Sequence, residues 1–363
     1  MPLSSAKRAW IAVAALALVA AAGIGLYLRY AERRTSTATS NAGPATYPAS
    51  PQQTRRVLGV LDELPGDAPA VAYIDVESLR KVQSSLAALL GLSGGNAAQD
   101  HDYQQFVHET GFDYTRDLDR AAIAFWFDTL GEGVQDSLAD NRAFVVADGR
   151  FDQGRIRAYA LKSGKAQARG TQTIYEVPGK PSVSFEFLSP SRIAITSGSR
   201  STKLLVNARP TTRDPAFQSR LDRVAGAPLF ALVRMDRLPD SLYAGFHNSP
   251  QIENLARSLR SLTLAAQPQG DMLKVALDGE STSVRNALMI ATLLEISRMG
   301  ASMALSDSKT RSQLTSEQAA FLDALLQKAR ISHQDRWVRM ALDVTPAMLG
   351  SAEAPHAQGD PVK

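Results

Sequence analysis

The 363-residue chain contains no cysteine. That excludes disulfide staples, thiolate nucleophiles, zinc–thiolate sites and lipid attachment through an N-terminal cysteine. The fold has to be held by packing alone. A basic surplus is also missing from the part that can fold. The formal charge is +4, but residues 1–34 already carry Lys7, Arg8, Arg29, Arg33 and Arg34 against Glu32, a net of +4. Of the 40 basic and 36 acidic side chains, the remainder therefore keeps 35 of each. A nucleic-acid binder concentrates basic charge on its folded body, so no nucleic acid is expected as a partner. Phosphate-cradling patterns, G-x-x-x-x-G-K-[ST] and G-x-G-x-x-G, do not occur.

What is there begins with Ala9–Leu28, AWIAVAALALVAAAGIGLYL, without a charge, amide or proline. At about 1.5 Å of rise per residue it extends about 30 Å, the thickness of a bilayer's hydrocarbon core. Lys7 and Arg8 flank one end and Arg29, Arg33 and Arg34 the other, with Trp10, Tyr27 and Tyr30 at interfacial positions. The run is expected to be a transmembrane anchor, preceded by a cytoplasmic head at 1–8. Ala20-Ala21-Ala22 offers a small-residue cleavage pattern, so a cleaved signal is the alternative; apolar character nevertheless continues through Ile24, Leu26 and Leu28. Residues 35–54 are uncharged and rich in Ser, Thr, Ala and Pro, and are expected to form a flexible stalk. The tail at 350–363 is polar and expected to be disordered.

Between stalk and tail the periodicities alternate. Helices are expected at 55–64, 77–90, 102–110, 153–161, 203–208, 283–303 and 317–329, from apolar residues at helical spacing and Ser/Thr start signals. Strands are expected at 70–76, 121–127, 143–147, 173–177, 182–187 and 192–196, with Asp148-Gly149 and Ser189-Pro190-Ser191 as turns. The second half then echoes the first. Ala68-Pro69 through Leu79 aligns with Ala227-Pro228 through Leu238, each an Ala-Pro, a strand and an acid two residues before leucine. Ala121–Phe127 aligns with Ser261–Ala266, Val145–Gly149 with Val275–Gly279, and Arg192–Thr196 loosely with Trp337–Val344. An internal duplication follows as the expectation: one α+β repeat at 55–215 and a second at 216–349, the fold class being α+β with an N-terminal transmembrane helix followed by two similar mixed-sheet/helix repeats. This layout resembles bacterial membrane-anchored exported proteins of unknown function built on a duplicated α+β region. The resemblance implies no catalytic motif and no functional residue.

Several patterns touch on chemistry. Gly91-Leu92-Ser93-Gly94-Gly95 matches the G-x-S-x-G elbow, but that chemistry needs a strand before the serine, and a helix is expected there. The glycines read as its stop. Ser78-x-x-Lys81 matches S-x-x-K, yet its companions are only echoed in Ser306-Asp307-Ser308 and Lys309-Thr310-Arg311. The second copy offers Arg237 there and no serine. His101 and His108 share a helix face beside Asp100, Asp102 and Glu109, without the third and fourth ligands a metal requires. His247, His333 and His356 stand alone. Met289, Met299 and Met303 either fill the core or line an apolar pocket. Arg285, Glu295 and Arg298 argue against a second span in that helix.

No catalytic, cofactor-binding or metal residue is therefore assigned, and no cofactor. The expectation is a non-enzymatic binding or interaction module of the bacterial envelope, single-pass in the inner membrane through residues 9–28, with the bulk of the chain extracytoplasmic. An exported apolar-ligand carrier and a hydrolase with a dispersed site are the alternatives.

Overall fold

Every strand of the body finds its partner by alternation. In Ala70–Asp75 (β1) the residues Val71, Tyr73 and Asp75 face one side of the sheet, and the strand lies between Leu118–Trp126 (β2) and Leu229–Arg234 (β8). The structure, a computed structural model, describes residues 47–81, 101–127, 142–170, 172–179, 182–197, 210–240, 243, 250–307, 311–312, 316–345 and 348. The expected anchor, the stalk up to residue 46, the helix at 203–208, the G-x-S-x-G segment and the tail lie outside the described residues.

The protein is α+β, built on a large antiparallel sheet. The other strands are Arg142–Gly149 (β3), Lys165–Arg169 (β4), Gln172–Val177 (β5), Val183–Ser189 (β6), Arg192–Ser197 (β7), Leu259–Gln269 (β9), Met272–Ser281 (β10), Arg330–Gln334 (β11) and Trp337–Val344 (β12). They form a single sheet of 12 strands in the order β11-β12-β10-β9-β8-β1-β2-β3-β7-β6-β5-β4. Every described ladder is antiparallel, so the expected mixed sheet is corrected. Two-residue connections, Pro190-Ser191 and Gly270-Asp271, return β7 beside β6 and β10 beside β9 as antiparallel hairpins.

The order reads the same outward from the β1/β8 pair: β1-β2-β3-β7-β6 in one direction, β8-β9-β10-β12-β11 in the other. Ala72 lies opposite Ala231, its own counterpart at the spacing of 159. Two backbone bonds repeat under the same exchange: Asp75 N–H donates to the Pro228 carbonyl and Arg234 N–H to the Pro69 carbonyl, each at 2.7 Å. Asp148 faces Arg192 across β3/β7 just as Asp278 faces Arg339 across β10/β12. Hence Asp148-Gly149 is not a turn: the strand runs through it, because the arginine opposite satisfies the carboxylate within the ladder at 2.7 Å.

One face of the sheet is covered by two short helices, Pro51–Leu61 (α1) and Pro215–Leu221 (α6). Each has a capping side chain before a proline at its first position, Ser50 and Asp214, and each closes on Leu-Asp. Val57, Val60, Leu61, Phe217 and Leu221 pack over Tyr73, Ala122, Phe144, Phe230 and Ala265 to form the main core. The start of α1 corrects the stalk boundary. Ser50 accepts from Gln53 N–H while Gln53 accepts from Ser50 N–H, a capping box that brings 51–54 into the helix. Tyr47 N–H also donates to the Arg223 carbonyl, so the folded body begins by residue 47.

The other face carries Val76–Arg80 (α2), His101–Thr110 (α3), Tyr114–Asp117 (α4) and Gln153–Leu161 (α5) on the first half. The second half carries Pro250–Arg257 (α7), Val284–Ser306 (α8) and Ser316–Lys328 (α9). Among the described residues only α8 is long and apolar enough to cross a membrane. Its inner side nevertheless seats Ala287, Ala291 and Leu294 against Ile331 and Val338, and Glu295 pairs with Arg298 at 2.6 Å. Met289 and Met303 point outward, 43% and 76% exposed, so they neither fill the core nor line a pocket. The small alanines take the inner positions because they let helix and sheet approach closely.

Candidate functional site

The seam between β1 and β8 has two ends, one at Asp75 and one at Arg234, and they differ. At one end stands Arg234, 4% exposed. Its guanidinium donates to the Gly66 carbonyl at 2.9 Å and to the Ala68 carbonyl, and lies 3.4 Å from the Asp214 carboxylate. Arg237 reaches the same Gly66 carbonyl at 2.9 Å. That end is filled by the protein itself.

At the other end the counterpart of Arg234 is Asp75. Its short side chain turns back to cap α2, Oδ1 accepting from Ser78 N–H and Oδ2 from the Ser78 hydroxyl, both at 2.9 Å. Beside it lies a cleft of about 240 Å³. Gln53 and Arg56 of α1 roof it, Tyr73, Asp75 and Ser78 form one wall, and Gly226, Pro228 and Gln267 belong to the opposite wall. Tyr73 stacks on Phe230 with ring centroids 5.0 Å apart. Burial first, and the Asp75 charge next, hold its phenol proton on well above the ordinary range.

Charge runs outward from the cleft along the same face. Glu77 lies 4.0 Å from Arg56 and 3.9 Å from Arg120, Arg120 lies 3.9 Å from Asp148, and Arg192 joins Asp148 to Glu63 at 3.7 Å. Beside this row Glu186, 2% exposed, is raised above the usual carboxylate range by burial and by Glu63. On the second half Asp278 pairs with Arg339 at 3.1 Å, and Arg223 sits 3.9 Å over the Trp337 ring. Burial raises Asp278 although both arginines oppose it, and burial also lowers Arg223.

The patterns singled out in the sequence do not converge on this cleft as chemistry. Ser78 does line it, but its hydroxyl is given to Asp75, and Lys81 points away to Glu77 at 3.0 Å with 71% of its side chain exposed. Arg237 holds the Gly66 loop. His101 and His108 are both exposed on α3, and no group of three ligating side chains occurs among the described residues. His333 lies in β11, whereas His247 and His356 fall outside the described residues. Asp75 and Arg56 were missed because neither belongs to a motif. The signal lies in the two aligned segments, where Asp75 and Arg234 occupy one position.

No family model matches the chain, and no curated protein matches it. Among solved structures it is similar to crystal form III of TP0453, at 12% identity and a TM-score of 0.41, covering 80% of this chain and 96% of that one. Crystal form I of TP0453 gives 13% identity, 80% and 95% coverage and a TM-score of 0.41. A likeness of that size bears on neither ligand nor partner.

Proposed function

We propose that the protein is a membrane-tethered, extracytoplasmic module of the bacterial envelope that works by binding and not by catalysis. Its body consists of two diverged copies of one α+β unit, and the cleft at the Asp75 end of the seam is its contact site. The observation that carries this reading is the inequality of the two seam ends: a position closed by Arg234 in one copy is kept open in the other. The reciprocal bonds of Asp75 with Pro228 and of Arg234 with Pro69 support the duplication. Tethering rests on the apolar run Ala9–Leu28 and its cationic, aromatic flanks. The outward apolar side of α8, with Val284 and Leu288 55% and 46% exposed, adds weak support for membrane association. A carrier of apolar ligands would need an enclosed greasy cavity, and the α8–sheet contact is packed with buried Ala287, Ala291 and Val338.

Protease accessibility of the full-length chain in intact and permeabilised cells tests the arrangement. Degradation of the body only after the outer barrier is opened is expected. Recovery of the unprocessed chain in the soluble cytosol overturns it.

A further inference from the structure

Helix α8 turns apolar surface outward along most of its length. Of the five large apolar side chains exposed among the described residues, four belong to it: Val284, Leu288, Met289 and Met303. Val284, Leu288, Thr292, Ile296, Met299 and Met303 follow one another three or four residues apart. They form one ridge about 28 Å long, away from the buried Ala287 and Leu305. The polar groups on and beside the ridge are satisfied by the protein itself. The Thr292 hydroxyl donates to the Leu288 carbonyl at 2.9 Å and the Ser306 hydroxyl to that of Ser302 at 3.0 Å. Both Glu295 oxygens accept from Arg298, at 2.6 and 3.0 Å, and the same guanidinium donates to the Leu326 carbonyl of α9 at 2.8 Å. Exposed charge stands at the two ends, Arg285 and Asp307. Hydroxyls and charges turned back in this way leave little on the ridge that hydrocarbon would strip of water.

The chain before the body sets what this ridge can reach. Eighteen residues, 29–46, separate the apolar run Ala9–Leu28 from Tyr47, where the described body begins. At no more than about 3.6 Å per residue they span at most about 60 Å. Helix, sheet and helix together, from the α1 face to the outer side of α8, are roughly 30 Å thick. A bilayer that holds Ala9–Leu28 is thus an apolar phase always within reach of the ridge. The inner side of α8 is packed on Ile331 and Val338, so a bilayer meets this helix from one side and cannot surround it.

We propose that the outward ridge of α8 lies flat in the lipid interface and gives the body a second contact with the membrane that holds its anchor. Leu288, Met299 and Met303 face the acyl chains, and Arg285 reaches the headgroup phosphates. This deepens the tethered arrangement proposed above and rests on it.

Because the chain has no cysteine, single-cysteine variants of the full-length protein can be spin-labelled at one site each. The sites are Leu288, Thr292 and Met303 on α8, Leu18 in the apolar run, and the exposed Ser219 of α6 on the opposite face of the sheet. In vesicles of phosphatidylethanolamine and phosphatidylglycerol, power-saturation EPR compares collisions with lipid-soluble oxygen and with a water-soluble nickel chelate. The α8 labels are expected to favour oxygen at least about threefold more than the Ser219 label does, as for side chains at the acyl boundary. Adding Leu288→Glu and Met303→Glu to the Thr292-labelled protein is expected to return that label to the Ser219 value. The melting temperature should not change, since both replaced side chains are exposed. Labels on α8 that match Ser219, or an oxygen preference that survives the two glutamates, overturn the proposal. Spin–spin broadening on α8 that disappears on dilution with unlabelled protein also overturns it, since a second copy then covers the ridge. A Leu18 label in lipid with α8 labels in water removes the second contact alone, whereas a Leu18 label in water removes the tethered arrangement itself.

Discussion

At Asp117 a single carboxylate ties the turn before α4 to Arg150, just after β3. The Arg116 guanidinium binds it at 2.7 Å, and this bond, more than the Asp113 and Arg150 contacts, holds its acidity down to about 2. A folded-state value below the unfolded one near 3.9 stabilises the protein above roughly pH 4, and that contribution is lost as pH falls towards 2. Because Arg116 and Arg150 are 64% and 63% exposed, solvent screens the pair and holds its contribution to about 1 kcal/mol. Asp117→Asn should lower stability by that amount at pH 7 and remove that part of the acid-induced loss, read by urea unfolding at a series of pH values. Asp278 carries the opposite sign. Its raised value favours the fold most below the ordinary carboxylate range, and that contribution fades as pH rises through the folded value. Gly226 is a second single-residue constraint. A Cβ there would stand 2.5 Å from the Pro48 carbonyl oxygen and 2.6 Å from that of Tyr47, backbone atoms that cannot yield without moving the segment leading into α1. Gly226→Ala should therefore cost about 1–3 kcal/mol and expose the chain around Tyr47 to limited proteolysis.

At the scale of elements, helix α1 shows what the sequence made readable and what it hid. The apolar face Val57, Val60, Leu61 and Leu64 was plain from spacing, and all four are fully or nearly buried. Its beginning was hidden because Pro51 and the polar residues around it look like a stalk, although Ser50, Pro51 and Gln53 form a start signal when taken together. The twin helix α6 was not foreseen at all, being only seven residues long; its identity lies in the shared proline and Leu-Asp ending. Strands rich in valine, isoleucine and alanine were legible, whereas β4, Lys165–Arg169, and β11, Arg330–Gln334, were not. Both are polar strands at the ends of the sheet order, where one edge needs no apolar signature. The cleft was unreadable for a different reason: Gln53, Asp75 and Gln267 meet only through the pairing of β1 with β8. Leu61→Ala should cost about 2–5 kcal/mol as a cavity under α1, and Ser50→Ala about 1 kcal/mol as a lost cap. Chemical denaturation of the two variants should keep that ranking.

For the whole molecule, the decisive property is that each half of the sheet finishes the other. The segment before α1 bonds to the turn after α6 through Tyr47 and Arg223, and also through Gly226 N–H on the Tyr47 carbonyl. The segment before α6 bonds to the turn after α1, Thr211 N–H donating to the Leu64 carbonyl at 3.0 Å. The main core likewise draws on both halves, with Tyr73 against Phe230 at its centre. Cutting the chain between the halves should therefore leave each piece with an open β1 or β8 edge, an uncovered apolar face and no partner for its leading segment. Expressed separately, residues 47–209 and 210–348 should give no cooperative unfolding transition and should aggregate. Expressed together, they should co-purify as a one-to-one complex whose melting approaches that of the intact body. A sharp, independent transition from either half alone would mean that the seam joins two finished domains. In that case the difference between Asp75 and Arg234 would be a detail of one interface and would not mark a site kept open within a single fold.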